Sequence, residues 1–365
     1  MEDLAAALRH AHPELEAVRR EAEEPVYLVG GAVRDLLLDR PRTDVDLVVE
    51  GDAAGLAARL GGAAKEHERF GTVKVEVAGH EIDIATARTE TYPEPGALPV
   101  VAPADGVEAD LARRDFTINA MAVPLAGEPR LVDPHGGSED LQRGLLRVLH
   151  PRSFEDDPTR AIRAARYAAR FDFGLETETE ALLRRADLTT VSSDRRRAEL
   201  ERLAGEATAC RGYELLAEWG LVDLREGGLE LMRAVDDLLG QEHWAGFAPR
   251  EEALISAALG PPGGEAVLAS MWSPPPGEGV EVAERRDPVE LVLARAMGAD
   301  WLDRYLTAWR QVELEISGDD LIAAGVEQGP AIGRGLRAAR TKKLEGEICG
   351  REEELAAALA AALRD

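Results

Sequence analysis

Short apolar runs broken by glycines mark the first third of the chain. Val26-Tyr27-Leu28-Val29 reads as a strand stopped by Gly30 and Gly31, and 32–38 continues with helical spacing. Val45–Val49 predicts a second strand, and 52–62 a helix closed by glycine. Alternation over 72–86 predicts a hairpin turning near Gly79. Residues 92–106 are rich in Pro and Gly and are expected as a loop, followed by a helix through 113–122. An amphipathic helix is expected before all of these, over 1–25.

After Pro151 the strand pattern nearly vanishes. Helical spacing recurs over 154–173, 176–186, 192–207 and 212–224, and again toward the C-terminus, ending at 351–365. A Pro/Gly-rich stretch over 260–279 interrupts it as a linker or long loop. No fixed period repeats. The fold class expected is an α/β N-terminal head, with a mixed sheet and helices, followed by an all-α remainder.

Composition narrows the classes. The 365 residues are 45% hydrophobic and 31% charged, a globular balance with length for two or three domains. No apolar run approaches the roughly 20 residues of a membrane span, and the N-terminus lacks a signal-peptide core. Cys210 and Cys349 are far apart and suggest neither a disulfide framework nor a zinc site. A cytoplasmic location is expected, and no protein partner is implied. The net charge of −26 argues against indiscriminate nucleic-acid binding, yet arginines cluster between Arg160 and Arg197.

Four groups of residues can carry chemistry. Gly30, Gly31 and Arg34 stand where a strand gives way to a helix, so backbone N–H groups and a guanidinium can meet a phosphate there. The alternative is a tight turn with a surface arginine. Asp44 and Asp46, two apart on a strand, point to the same face. Paired carboxylates favour a cation, and Mg²⁺ takes carboxylate together with nucleotide phosphate; a solvated edge strand is the plainer reading. Asp83 is either a third metal carboxylate or a hydrogen-bonded strand residue. Arg114, Asp115 and Asn119 can reach a triphosphate or brace the site and the ribose, or else belong to an ordinary helix with capping and surface charges. Asp157 and Arg160, with Pro158 in a first helical turn, are neighbours at i and i+3, as a salt bridge or as a recognition pair.

In this order, GGAVRD (30–35), DVD (44–46), RRDFTINAMA (113–122), DPHGG (133–137) and FEDDPTRAIRAARYAARF (154–171) resemble the class II tRNA nucleotidyltransferase and bacterial poly(A) polymerase family. The resemblance runs from about Val26 to about Leu203. Val191–Leu200 resembles the family's neck motif, with Asp194 where a Glu is usual, and 316–333 resembles its tail segment. No histidine is followed by Asp, so the phosphohydrolase signature of some relatives is not visible.

The resemblance implies a polymerase-beta-type head over 26–150, a helical neck over 151–205 for nucleotide selection and RNA contact, a body over 206–260, and a tail over 261–365. It implies that Asp44 and Asp46 hold a two-metal Mg²⁺ centre, that Gly31, Arg34 and Arg114 contact the nucleotide, and that Asp157, Arg160, Arg163 and Arg166 select it. The implied reaction adds C, C and A from CTP and ATP to the 3′ end of tRNA, releasing pyrophosphate. Arg195, Arg196 and Arg197 are expected to meet the RNA backbone. The alternatives are poly(A) addition, CC-only or A-only addition, or a catalytically inactive RNA-binding protein.

Overall fold

The computed structural model describes residues 4–40, 44–61, 65–67, 72–260 and 273–364. The chain forms two compact units, Met1–Val222 and Asp223–Asp365.

The first unit begins with two helices, α1 (Leu4–Ala11) and α2 (Leu15–Glu21), where one was expected. Pro13 separates them, because its ring cannot continue a helix. A six-stranded sheet follows, built from β1 (Val26–Val29), β2 (Val45–Val49), β3 (Lys65–His67), β4 (Thr72–Val77), β5 (His80–Thr86) and β8 (Ala122–Pro124). The strand order is β3-β4-β5-β2-β1-β8. Only the β2–β5 pair is parallel, in a register that sets Asp46 beside Asp83. Alternating burial fits this sheet: Val73, Val75, Ile82 and Ile84 turn inward. Helices α3 (Gly31–Leu37) and α4 (Ala53–Arg59) follow β1 and β2.

Two stretches differ from expectation. The 92–106 stretch is not wholly loop: β6 (Arg88–Thr91) pairs antiparallel with β7 (Val100–Pro103). The 113–122 segment is not a helix. After α5 (Val107–Leu111) the chain makes a 3-10 turn at Thr117–Asn119 and enters β8. Phe116 and Ile118 are fully buried there, Phe116 bridging to Val148, and tertiary burial overrides helical spacing.

Helices then dominate the unit: α6 (Gly137–Arg143), a short parallel pair of β9 (Leu145–Leu146) with β10 (Gly174–Leu175), α7 (Ser153–Asp156), α8 (Thr159–Phe171), α9 (Thr177–Leu183), α10 (Ser193–Ala204) and α11 (Ala209–Glu218). α10 and α11 both pack on α8.

The described residues of the second unit contain only helices: α12 (Gly228–Leu239), α13 (Arg250–Leu259), α14 (Pro276–Ala283), α15 (Pro288–Ala296), α16 (Trp301–Thr307), α17 (Gly318–Ala323), α18 (Pro330–Leu344) and α19 (Arg351–Ala362), with one further 3-10 turn. α14 occupies the end of the Pro/Gly-rich stretch expected as linker or loop; residues 261–272 lie outside the described residues. α18 and α19 approach closely at Gly335, where a Cβ would stand 2.6 Å from the Ala358 carbonyl. Buried Glu354 is neutralised there by Lys343 at 2.6 Å.

Candidate active site

A cleft of about 820 Å³ opens in the first unit between the sheet, the β6–β7 hairpin and helices α8 and α10. Gly30, Gly31, Arg34, Asp44, Asp46, Asp83, Arg114, Asp115, Asn119, Asp157, Arg160, Arg163, Arg166 and Arg195 all line it. Residues scattered over 166 positions of sequence thus meet in one place.

The floor is β2. Asp46 lies on it and Asp44 immediately precedes it, two positions apart on one face, and both reach the cleft. Among the described residues neither accepts a hydrogen bond nor makes an ion pair. The Asp46 carboxyl is pushed up to about 6: crowding by the cleft walls is the largest cause, and Asp83 and Asp44 add to it against the pull of Arg114 and Lys74. Asp83 Oδ1 lies 3.4 Å from Lys74 Nζ, which neutralises it in part. Among the described residues no three His, Cys, Asp or Glu groups form a complete cage. Mg²⁺ needs only one or two protein carboxylates because it keeps several waters and shares substrate phosphates. Two unpartnered carboxylates on one strand face fit that cation.

The β1–α3 turn forms one wall. Gly30 has φ +67°, which favours glycine, and Arg114 Nη1 lies 2.6 Å from where a Cβ would stand. Arg34 is buried rather than held at the surface. It donates to Asp35 Oδ1 at 2.8 Å and Asn119 Oδ1 at 2.7 Å, and its guanidinium lies 4.5 Å from the Phe171 ring centre. Asp115 is buried next to it. Its Oδ1 accepts from Phe116 N and Asn119 Nδ2, and its Oδ2 from Arg163 Nε and Nη2 at 2.9 and 2.6 Å. Burial alone would raise the Asp115 carboxyl, but Arg163 and the Asn119 amide outweigh it and hold it at about 2. Arg34, Asn119, Asp115 and Arg163 therefore form one continuous chain of charge-assisted bonds bracing the sheet against α8.

The opposite wall comes from α8 and α10. Thr159, Arg160, Arg163, Arg166, Tyr167 and Arg170 reach the cleft from α8, and Arg195, Ala198, Glu199 and Arg202 from α10. Spacings of three and four place each set on one helix face. Arg196 and Arg197 fall on other faces of α10 and do not line the cleft; Arg197 pairs with Glu201 at 2.7 Å. The basic strip is largely self-neutralised, since Glu199 lies between Arg163, Arg166 and Arg202, and Arg170 faces Glu206.

Asp157 and Arg160 depart from the i, i+3 pair on one helix. Asp157 precedes proline, which disfavours helical backbone, and it is extended at φ −135°, ψ 92°, between α7 and α8. Pro158, at φ −61° and ψ −19°, has helical backbone and opens the first turn of α8, with Thr159 N donating to the Asp157 carboxylate. Among the described residues the two side chains form no ion pair. Asp157 Oδ1 accepts from Thr159 N, Thr159 Oγ1 and Arg195 Nη2, and Oδ2 has no donor among the described residues. Arg160 donates to Ser153 Oγ at 2.6 Å and the Arg113 carbonyl at 2.8 Å. Arg195, expected on RNA, instead bridges Asp157 and the Gly96 carbonyl at 2.7 Å inside the cleft.

Sequence reasoning missed Glu90 and Tyr92. Tyr92 donates to Glu90 Oε2 at 3.0 Å, and burial first, then Glu90 and Asp157 against Arg160, push the phenol up to about 12. Their spacing of two was the available signal, hidden because the stretch from Tyr92 onward was read as loop.

Residues 26–147 match the family model described as the poly A polymerase head domain. The chain is 40% identical over 240 residues to an A-adding tRNA nucleotidyltransferase of Halalkalibacterium halodurans, covering 60% of this chain and 56% of that protein. It is 35% identical over 352 residues to a CC-adding tRNA nucleotidyltransferase of Deinococcus radiodurans, covering 92% of this chain and 89% of that one. The solved Thermotoga maritima CCA-adding enzyme complexed with tRNA superposes with a TM-score of 0.77 at 28% identity, over 98% of both chains. The chain spans 56% of the first A-adding relative's length and 20% of two others.

Proposed function

The chain belongs to the tRNA nucleotidyltransferase family, and from that premise we propose that it adds C, C and A to the 3′ end of tRNA from CTP and ATP, without a nucleic-acid template and with release of pyrophosphate. One observation carries the reading: a single cleft holds two carboxylates unpartnered among the described residues, a glycine turn faced by Arg114, and Asp157 with Arg160. A pure RNA-binding protein has no use for the first of these.

Asp44 and Asp46 would hold Mg²⁺, which when bound supplies charge stabilisation at the transferring phosphoryl group and a more acidic attacking hydroxyl. The Gly30 turn and Arg114 orient the phosphates, with Arg34, Asn119, Asp115 and Arg163 bracing that wall. Arg166 extends the positive lining along α8.

Base choice falls to Asp157 and Arg160. Cytosine and adenine each present an exocyclic amino donor beside a ring-nitrogen acceptor; uracil and guanine present a carbonyl beside a ring N–H. The open Asp157 Oδ2 accepts from the amino group, and Arg160 retains donors for the ring nitrogen. A site that hydrogen-bonds its substrate discriminates by about 10⁴ or more, because a mismatch strands buried polar groups.

CC-only addition is the second reading, favoured by the likeness to the Deinococcus radiodurans protein over 92% of the chain. The test is to incubate tRNA ending at the discriminator base with CTP, ATP or both and sequence the products. Ends reading CCA with both nucleotides support the proposal, and ends that stop at CC support the second reading.

A further inference from the structure

Asp110 lies on α5, has no exposed surface, and does not line the cleft. Its carboxylate nevertheless grips two arginines that do. Oδ1 accepts from Arg113 Nε and Nη2 at 2.9 and 2.8 Å and from the Arg88 backbone N–H at 3.3 Å. Oδ2 accepts from Arg114 Nη2 and Nε at 2.9 and 3.3 Å. One carboxylate thus holds two adjacent guanidiniums that would otherwise repel each other. Burial alone would raise its pKa; Arg114 and Arg113 more than offset that and keep it ionised.

The geometry leaves one part of Arg114 unused. Its Nη1 makes no hydrogen bond among the described residues and lies at the Gly30 turn, 2.6 Å from where a Cβ would stand. With Nε and Nη2 tied to Asp110, the guanidinium plane is fixed and Nη1 faces the cleft. Arg113 is held the same way, with Glu90 on its Nη1 at 2.8 Å and its carbonyl accepting from Arg160. We propose that Asp110 is a positioning residue for the nucleotide's phosphates, acting through Arg114. This rests on the reading that Arg114 contacts the triphosphate.

The test is a double-mutant cycle read as affinity for CTP and for cytidine, which lacks phosphate, in the full-length chain. Asp110→Asn and Arg114→Ala are each expected to weaken CTP about tenfold or more, the scale of a lost charge-assisted hydrogen bond. Cytidine affinity should stay unchanged, and the double variant should bind CTP no more weakly than Arg114→Ala. Wild-type CTP affinity in Arg114→Ala would overturn the phosphate contact, and the proposal with it. If Arg114→Ala is weakened, three results overturn the role of Asp110 alone: wild-type CTP affinity in Asp110→Asn, an equal further loss in the Arg114→Ala background, or a parallel loss of cytidine. Should Asp110→Asn fail to fold, Asp110→Glu keeps the charge and displaces it by one methylene. It is expected to weaken CTP alone, and wild-type CTP affinity there overturns the proposal.

Discussion

The strand β2 and the helices α8 and α10 face each other across one cleft and treat their charges in opposite ways. At the start of β2, Asp44 and Asp46 stand two positions apart with no hydrogen bond or ion pair among the described residues. On the helices nearly every arginine in the cleft is held: Arg163 by Asp115, Arg166 by Glu199, Arg170 by Glu206, Arg195 by Asp157. A partnered charge fixes shape, whereas an unpartnered one on an open floor is available to a ligand. The arginines that looked like an RNA-binding strip are mostly held by carboxylates around the pocket, and the proposed function makes the acidic pair its reactive part.

The largest expected effect tests that contrast on the strand. Asp44→Ala and Asp46→Ala should each lower turnover about a thousandfold or more, since the cation's charge stabilisation is worth several kcal/mol. Thermal stability and tRNA affinity should stay near wild type in both. A variant that unfolds instead would make these carboxylates structural.

On the helix side the expected loss is in stability. Asp115→Ala removes the bidentate partner of half-buried Arg163, leaving it Glu199 at 3.7 Å, and should cost about 1–3 kcal/mol by chemical denaturation. The Asp115 carboxyl is depressed to about 2, so its stabilising effect is complete above the ordinary carboxylate range and is lost as pH falls from about 4 toward 2. The Asp115→Ala deficit measured at pH 7 should therefore shrink at pH 2.5; a constant deficit would remove the ion pair from the explanation.

Selection comes next. Asp157→Ala should admit UTP or GTP, read by sequencing products with each nucleotide alone. Unrelaxed selection with lowered stability would reduce Asp157 to a cap for α8 and an anchor for Arg195. The smallest effect separates neighbours on α10. Arg195→Glu should raise KM for nucleotide, while Arg196→Glu with Arg197→Glu should raise only KM for tRNA, by a factor that shrinks with added salt. The reverse pattern would return Arg195 to the RNA surface.

The floor was legible because period two along Asp44-Val45-Asp46 dictates a shared face. The glycine turn was legible because a strand, two glycines and a helical run leave few other shapes. The opposite wall was legible only in part: Asp157, Arg160, Arg163 and Arg166 line the cleft, but not in the arrangement expected. Asp157 was expected on a helix, but Pro158 holds it extended, and its partner Arg195 lies 38 residues away, a contact no local pattern encodes. The expected helix over 113–122 failed because Phe116 and Ile118 bury in the core, and apolar spacing alone cannot separate that from helical packing.

The most direct test of the central claim compares wild type with Asp46→Asn on tRNA ending at the discriminator base, with CTP, ATP and Mg²⁺ in a single turnover. Asn keeps the shape and removes the charge. Wild type is expected to complete the 3′ end to CCA, and Asp46→Asn to bind the same tRNA but leave it unextended. Extension by Asp46→Asn at the wild-type rate would contradict that claim.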